Sequence, residues 1–157
     1  MRLALYQPDI PQNTGTILRL AACLDIGVDI IGPAGFDMSD KALRRAGLDY
    51  LDHARIRRHE SWETFERDRR LAVPLARLVL LSSHAKASYL DFRFHGDDIL
   101  LLGRESAGAP QAVHEAAGAT LRIPIRAGLR SLNIAVAAAM VAGEALRQTG
   151  GFKSLPV

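Results

Sequence analysis

Short apolar runs that alternate with helix-forming segments restrict this chain to few folds. Four runs of four or five residues are largely apolar: residues 2–6, 28–32, 77–81 and 99–102. Such compact runs are expected of strands that a sheet buries on both faces. Between the first two runs, Ile17, Leu20 and Leu24 recur at the spacing of one apolar helix stripe. The alternation predicts an α/β fold with an open, mostly parallel sheet and helices on both of its faces.

Two further segments extend the predicted alternation. Residues 54–58 are expected to form another strand, and residues 61–70 a surface helix that turns Trp62 and Phe65 inward. The spacing favours core packing for Trp62 over a platform that stacks bases. Two supporting ion pairs are expected on the outer face of this helix: Glu63 with Arg67, and Glu66 with Arg70.

Polar residues and glycines mark the predicted helix boundaries. Asn13 has a side chain suited to capping, and it stands just before the first apolar stripe. Ser39 or Asp40 can cap a basic helix that Gly47 ends.

A cluster of cations occupies that basic helix and the strand after it. Its members are Lys41, Arg44, Arg45, Arg55, Arg57, Arg58 and His59. The cluster suits contacts to phosphate groups. Because Asp49 and Asp52 are interleaved with it, an ordinary solvated surface explains the pattern equally well.

Size and composition predict one globular domain that spans residues 1–157, since 48% of the residues are hydrophobic and 24% charged. The single cysteine, Cys23, excludes an internal disulfide framework, so a cytoplasmic location is expected. The first apolar run is too short for a signal peptide or a membrane span.

A net charge of +3 permits a polyanionic partner without requiring one. The five histidines lack the H-x-x-x-H spacing of metal ligands, so no metal site is expected.

Residues 121–147 join a short strand, a basic polar turn and a dense apolar helix. From residue 134 to residue 143 nearly every side chain is apolar and small, which predicts a helix buried on all sides. Four polar side chains stand at its entrance: Arg126, Arg130, Ser131 and Asn133. Unpaired backbone donors at a buried helix N-terminus indicate a ligand site. A plain N-cap at Ser131 explains the same pattern more simply.

A turn with two glycines follows the predicted strand at residues 99–102. Residues 103–110 read GRESAGAP. A phosphate-binding P-loop needs Lys and then Ser or Thr where Ala109 and Pro110 stand, and the dinucleotide pattern G-x-G-x-x-G is absent. The turn is therefore expected to let its backbone approach a neutral or cationic ligand, with Glu105 ordering the loop and Pro110 opening a helix.

A second group of polar residues is expected at the same edge of the sheet. Ser82, Ser83 and His84 directly follow residues 77–81. Open α/β sheets bind their ligands at the carboxyl ends of the strands, so this position indicates a site more strongly than the residue types do. The looser segment at residues 85–98 could cover that edge.

Three motifs, taken together, resemble those of a known family. They are Asn13-x-Gly15-x-x-x-Arg19, then Gly103-x-Glu105-x-x-Gly108-x-Pro110, then Ile123-Pro124 with Arg130-Ser131-Leu132-Asn133. In this order and spacing they are similar to the motifs of the SpoU branch of the SPOUT RNA 2′-O-methyltransferases. The resemblance runs from residue 3 to about residue 148. Residues 41–50, KALRRAGLDY, resemble the short subgroup that methylates the wobble nucleotide, cytidine or uridine, of certain leucine tRNAs.

The resemblance implies a fold, a cofactor, partners and site residues. The family fold is an α/β sheet whose carboxyl end is tied into a deep trefoil knot, which general topology rules would not propose. The family enzymes hold S-adenosyl-L-methionine in the knot, act on RNA as homodimers and need no metal. The positions that match the cofactor site are Leu81, Gly103, Ile123, Ser131 and Leu132. The positions that match the catalytic residues are Arg19, Asn13, Glu105, Ser131 and Asn133.

Contacts to RNA are expected from arginines. The resemblance favours RNA or cofactor binding for Arg130, whereas Arg126 stays undecided between RNA contact and surface charge. The arginines assigned to RNA are Arg44, Arg45, Arg57 and Arg130. The chain differs from the subgroup at Gly143, where a tyrosine is usual, and at residues 135–136, where Ala-Val replaces Ser-Asn.

The chemistry of methyl transfer fits these residue types. Transfer from a sulfonium is an in-line displacement, so the protein must chiefly align the donor with the ribose 2′-hydroxyl. Arginine is a poor general base because its pKa exceeds about 12. We therefore expect Arg19 to bind the adjoining phosphate and orient the hydroxyl, while Ser131 and Asn133 fix the ribose or the cofactor. Two other functions stay open: methylation of a different RNA, and a catalytically silent RNA-binding module.

Overall fold

The computed structural model of the protein describes residues 1–39, 41 and 53–156. Within these ranges the chain forms seven strands: β1 (Arg2–Tyr6), β2 (Gly27–Ile31), β3 (Ile56–His59), β4 (Leu78–Leu81), β5 (Ala87–Ser88), β6 (Ile99–Leu102) and β7 (Ala119–Arg122). The same ranges contain four α-helices: α1 (Pro11–Cys23), α2 (Trp62–Ala72), α3 (Gln111–Ala116) and α4 (Ile134–Thr149). Two short 3-10 helices, Tyr89–Asp91 and Gly151–Ser154, complete the described elements.

The strands form one sheet in the order β3-β2-β1-β6-β4-β7-β5. Every pair of neighbouring strands is parallel, so all seven carboxyl ends lie at the same edge. The predicted parallel α/β sheet is confirmed, and each predicted strand is present within two residues of its expected bounds. The looser segment contributes β5, which extends the sheet beyond β7.

Helices cover both faces of the sheet, as predicted. Alternate residues of a strand point to opposite faces, so Leu3 and Leu5 join one core cluster and Ala4 and Tyr6 the other. The first cluster includes Ile17 of α1 and the inward face of α4. The second cluster is covered by α2 and α3. The site edge is therefore held by elements that are packed from both sides.

Helix α2 matches its predicted position and core face. Ser61 caps it by accepting a hydrogen bond from the backbone N–H of Thr64 at 3.3 Å. Phe65 is buried, and the half-buried Trp62 ring packs against Tyr6 in the core, as predicted. The ion pair between Glu66 and Arg70 is confirmed.

The other ion pair predicted on α2 is wrong. Arg67 pairs with the adjacent Asp68 at 2.9 Å instead of reaching Glu63 one turn away.

The prediction that Asn13 caps α1 is also wrong. The helix begins two residues earlier, at Pro11, and Ile10 occupies the cap position. Proline suits the first helical position because it has no N–H and its φ angle is already helical. Asn13 therefore lies inside the first turn of the helix, and its side chain is available for tertiary contacts.

Two predictions about α4 need correction. The N-cap is Asn133, whose Oδ1 accepts from the N–H groups of Ala135 and Val136, so Ser131 is not the cap. The helix is also buried on one side only. Val136 is 49% exposed and Met140 39% exposed, so the described part of the chain leaves that side open.

The predicted basic helix at residues 40–47 lies outside the described residues, apart from position 41. None of the described helices combines the length and the apolar character that crossing a membrane requires.

Candidate active site

A cavity of about 660 Å³ opens at the carboxyl edge of the sheet, beyond the ends of β4, β6 and β7. Its apolar wall is formed by Leu81, Leu102, Leu121, Ile123 and Ile125. Ser82, Ser83 and His84 also line the cavity, as their position after β4 predicted. The size is typical of a pocket for a small molecule or cofactor, which commonly measures about 300–1,000 Å³.

The loop at residues 103–110 forms one side of the cavity and is tightly folded. The backbones of Arg104 and Gly108 pair in both directions, at 2.9 and 2.8 Å. Gly108 has a φ angle of +68°, which a glycine adopts without strain. A Cβ atom on Gly103 would lie 2.5 Å from the carbonyl carbon of Gly108, so the two glycines allow the loop to close on itself. This confirms the predicted tight turn.

A chain of hydrogen bonds crosses the cavity wall and joins all three motifs. Asn133, at the start of α4, donates from Nδ2 to Oδ1 of Asn13 at 2.9 Å. Asn13 donates from its own Nδ2 to Oε1 of Glu105 at 3.3 Å. Both side-chain amides have a fixed orientation. Oδ1 of Asn133 caps the helix, so its Nδ2 faces Asn13. Oδ1 of Asn13 accepts from Asn133, so its Nδ2 faces Glu105. The three predicted residues therefore form one connected group.

The carboxyl group of Glu105 lies in an unusual electrostatic environment. Burial, together with the neighbouring carboxyl of Asp9, raises the pKa of Glu105 above its ordinary value. The pKa of Asp9 falls to about 2, because Asp9 accepts hydrogen bonds from the side chain of Glu105 and from Ser106. A proton bound by this pair therefore resides on Glu105.

All but one of the predicted catalytic and cofactor-binding residues meet at this cavity. Those that line it are Asn13, Leu81, Gly103, Glu105, Ile123, Ser131, Leu132 and Asn133. Arg19 is the exception among the predicted catalytic residues. It is exposed on α1, beyond Asn13, and it does not line the cavity.

The arginines assigned to RNA are dispersed. Arg130 is exposed in the loop before α4, close to the cavity residue Ser131. Arg57 is exposed on β3, at the opposite end of the sheet from β5. Arg44 and Arg45 lie outside the described residues.

Three polar residues at the site were not singled out from the sequence. Arg104 and His114 line the cavity, and Nε of Arg104 is buried with no hydrogen-bond partner among the described residues. Asp9 contacts Glu105 through its backbone N–H, which donates to Oε2 at 3.1 Å. The rule that predicted Ser82 applies to Asp9 as well, because Asp9 follows the carboxyl end of β1.

One histidine and two aspartates form a cluster just before β6, away from this cavity: His95, Asp97 and Asp98. Both carboxylate oxygens of the fully buried Asp98 accept hydrogen bonds from Arg77, at 2.8 and 2.7 Å. The ion pair with Arg77 thus accounts for the buried Asp98.

Comparison with known proteins identifies close relatives along nearly the whole chain. The tRNA (cytidine(34)-2′-O)-methyltransferase of Beijerinckia indica is 60% identical over 149 residues, which cover 94% of this chain and 91% of the relative. The enzyme of the same name from Ancylobacter novellus is 55% identical, with 97% of this chain and 95% of the relative covered.

Solved structures of methyltransferases are also similar to this chain over most of its length. One, described as "Structural insights into the 2-OH methylation of C/U34 on tRNA", has a TM-score of 0.86 and 43% identity, and covers 94% of both chains. The SpoU methyltransferase AviRb from Streptomyces viridochromogenes, solved with the cofactor AdoMet, has a TM-score of 0.82 and 30% identity over 94% of this chain and 60% of AviRb. The family model of the SpoU rRNA Methylase family matches residues 1–143. This chain is therefore a member of the SpoU rRNA Methylase family.

Proposed function

We propose that this enzyme transfers a methyl group from S-adenosyl-L-methionine to the ribose 2′-hydroxyl of the wobble nucleotide of tRNA, cytidine or uridine 34. The observation that carries the proposal is the hydrogen-bonded group of Asn133, Asn13 and Glu105 on the wall of a cofactor-sized cavity. It occurs in a chain that is 60% identical to a tRNA (cytidine(34)-2′-O)-methyltransferase. Leucine tRNAs are the proposed substrates, from the resemblance of residues 41–50 to the short subgroup.

The cavity fits S-adenosylmethionine. Leu81, Ile123 and Leu132 provide apolar contact for an adenine ring, while Gly103 lets the loop backbone come close to the ligand. Ser131 supplies a hydroxyl at the same wall. When bound, the cofactor supplies an activated methyl group on a sulfonium.

The residues of the chain then have to align the acceptor and handle its proton. The fixed amides of Asn13 and Asn133 provide donors and acceptors of defined orientation, which suits the ribose hydroxyl groups. Arg19 binds the phosphate next to the acceptor ribose and orients the 2′-hydroxyl. Its permanent charge suits phosphate binding better than proton abstraction.

RNA binding extends beyond the cavity. Arg130 lies near the cavity mouth and contacts the phosphates of the anticodon loop. Arg57, Arg44 and Arg45 contact RNA farther away. A net charge of +3 supports association with a polyanion.

The active form is a homodimer. Helix α4 exposes Val136, Ala139 and Met140, and a second copy of the chain would bury this apolar side. Each chain is one domain with a C-terminal trefoil knot. The strand order supports the knot, because β6 lies between the earlier β1 and β4, and β7 lies between the earlier β4 and β5. A tRNA substrate and a lone cysteine agree with a cytoplasmic location.

The decisive experiment uses the purified chain, S-adenosylmethionine with a labelled methyl group, and leucine tRNA transcripts. Label is expected in the wild-type transcript and is expected to be absent from the same tRNA built with a 2′-deoxyribose at position 34. Equal labelling of the two tRNAs would contradict the proposal.

The labelling assay and a cofactor titration together distinguish the two alternative functions. If another RNA is the substrate, ribosomal RNA or a different tRNA position accepts the label while position 34 does not. If the chain is a silent module that lost its cofactor, calorimetric titration with S-adenosylmethionine gives no binding.

A further inference from the structure

A second carboxyl group, that of Asp9, is built into the proposed catalytic group. Asp9 lies between β1 and α1, whereas Glu105 follows β6, 96 residues farther along the chain. The backbone N–H of Asp9 donates to Oε2 of Glu105, and the backbone N–H of Glu105 donates to Oδ1 of Asp9, both at 3.1 Å. The contact is therefore reciprocal, with each residue using both its backbone and its side chain.

The other oxygen of Asp9 holds the next residue of the loop. Oδ2 accepts from the backbone N–H of Ser106 at 3.3 Å and also from the hydroxyl of Ser106. One carboxylate thus accepts from two consecutive backbone N–H groups. These groups have no other acceptor among the described residues, so Asp9 fixes the start of the loop at residues 103–110.

These contacts also fix the orientation of the Glu105 side chain. Its Oε2 is held by Asp9 and its Oε1 by Asn13, so both oxygens have one orientation. Asn13 in turn accepts from Asn133. Without Asp9, Glu105 keeps the contact to Asn13 but loses the contacts that fix its backbone.

We propose that Asp9 is a positioning residue for methyl transfer: its carboxylate fixes the backbone of Glu105 and Ser106, and thereby directs the Glu105 carboxyl toward Asn13 and Asn133. This inference rests on the proposed function, because it assumes that Glu105, together with Asn13 and Asn133, takes part in methyl transfer. Asp9 itself acts through Glu105 and does not touch the substrate.

The charges of the pair support this role. Asp9 accepts three hydrogen bonds from the loop and stays ionised, with its pKa lowered to about 2, while the pKa of Glu105 is raised. Their other hydrogen-bond partners, Ser106 and Asn13, are uncharged. Burial and the ionised Asp9 therefore both favour the protonated form of Glu105.

The first test compares Asp9→Ala and Asp9→Asn with the wild-type chain in steady-state methyl transfer. For Asp9→Ala, kcat is expected to fall about 10–100-fold, whereas KM for S-adenosylmethionine and for tRNA changes less than about threefold, because misorientation affects the transition state most. The matched control is Asp37→Ala. Asp37 accepts from the N–H and the hydroxyl of Ser39 in the same way, but it lies outside the cavity.

A double variant shows whether Asp9 acts through Glu105. In a Glu105→Gln background, adding Asp9→Ala is expected to lower kcat by less than about twofold further, since coupled residues are not additive. In the Asp9→Asn variant, the pH profile of kcat is expected to shift to lower pH, because the Glu105 carboxyl loses its anionic neighbour. Independent, multiplying losses or an unchanged pH profile would overturn the proposal.

A measurement that does not depend on enzymatic activity distinguishes the role of Asp9 from the proposed function. Hydrogen exchange at the amides of residues 105 and 106 is expected to rise about tenfold or more in Asp9→Ala and to stay unchanged in Asp37→Ala, since exchange follows loss of amide hydrogen bonds. Unchanged exchange in Asp9→Ala would overturn the role of Asp9. A wild-type chain that transfers no methyl group to RNA would overturn the proposed function instead.

Discussion

Arg19 is the predicted catalytic side chain that the fold keeps outside the cavity, so its role is tested at the scale of a single residue. Replacing Arg19 with Ala is expected to lower methyl transfer to tRNA about 100-fold, because it would remove the proposed phosphate contact that orients the acceptor hydroxyl. S-adenosylmethionine affinity is expected to stay within about twofold, since Arg19 does not line the cavity. Transfer kinetics and calorimetric titration measure the two effects.

The control for Arg19 is Arg67→Ala, which removes an exposed arginine that pairs with Asp68 on α2. This variant is expected to behave like the wild-type chain in both measurements. Full methyl transfer by Arg19→Ala would show that the arginine has no part in the reaction.

Among the structural elements, the loop at residues 103–110 depends most on close backbone approach. Gly103→Ala is expected to weaken S-adenosylmethionine binding by about tenfold or more, because the added Cβ would lie 2.5 Å from Gly108 and 2.7 Å from the Ala109 nitrogen, so the loop must open. The control is Gly96→Ala, whose Cβ would meet nothing within 4 Å. Equal affinities of the two variants would contradict this explanation.

The start of α4 gives a second prediction at this scale. Asn133→Ala is expected to lower the free energy of unfolding by about 1 kcal/mol, since the helix loses its cap. Ser131→Ala is expected to change it by less than about 0.5 kcal/mol, because Ser131 caps nothing. Urea unfolding of both variants distinguishes the two positions, and a larger loss for Ser131→Ala would contradict the assignment of the cap.

At the scale of the whole molecule, a substitution at Gly143 tests the proposed dimer. In a lone chain, Gly143→Ala would stabilise α4 by about 0.5–1 kcal/mol, because its Cβ meets nothing within 4 Å and alanine favours a helix. If α4 packs against a second copy, the added methyl group is expected to raise the dimer dissociation constant about tenfold or more. Sedimentation equilibrium measures this constant, and a higher melting temperature with unchanged assembly would count against the proposed interface.

Acid stability is a second property of the whole molecule. The pKa values of Asp9 and Glu144 are lowered to about 2, by hydrogen bonds from Glu105 and Ser106 to Asp9 and from Arg147 and Gln148 to Glu144. Folded pKa values below the ordinary ones of 3.8 and 4.5 stabilise the protein above those values, and this stability is lost as the pH falls toward about 2. Melting temperatures measured between pH 5 and pH 2 are expected to fall less steeply in Asp9→Asn than in the wild-type chain. Parallel curves would contradict the assigned shift.

Much of this fold follows from local patterns. The apolar run at residues 99–102 and the stripe through Ile17 predict a strand and a helix, because the period of apolar residues is a local property of the sequence. The resemblance of the motifs to a known family also predicted most of the cavity residues. The cap of α1 was misplaced, because Pro11 can open a helix and thereby frees Asn13 for a tertiary contact.

Local sequence was enough to predict the parallel α/β class, the tight turn with Gly103 and Gly108, and the family motifs. The tertiary structure alone decided that Asn133, Asn13 and Glu105 form one hydrogen-bonded group, and that Asp9 secures it from 96 residues away. It also decided that one side of α4 faces outward. The reason is that periodicity records which residues avoid water, whereas hydrogen-bond partners depend on the order of the strands, and that order is set by packing between distant parts of the chain.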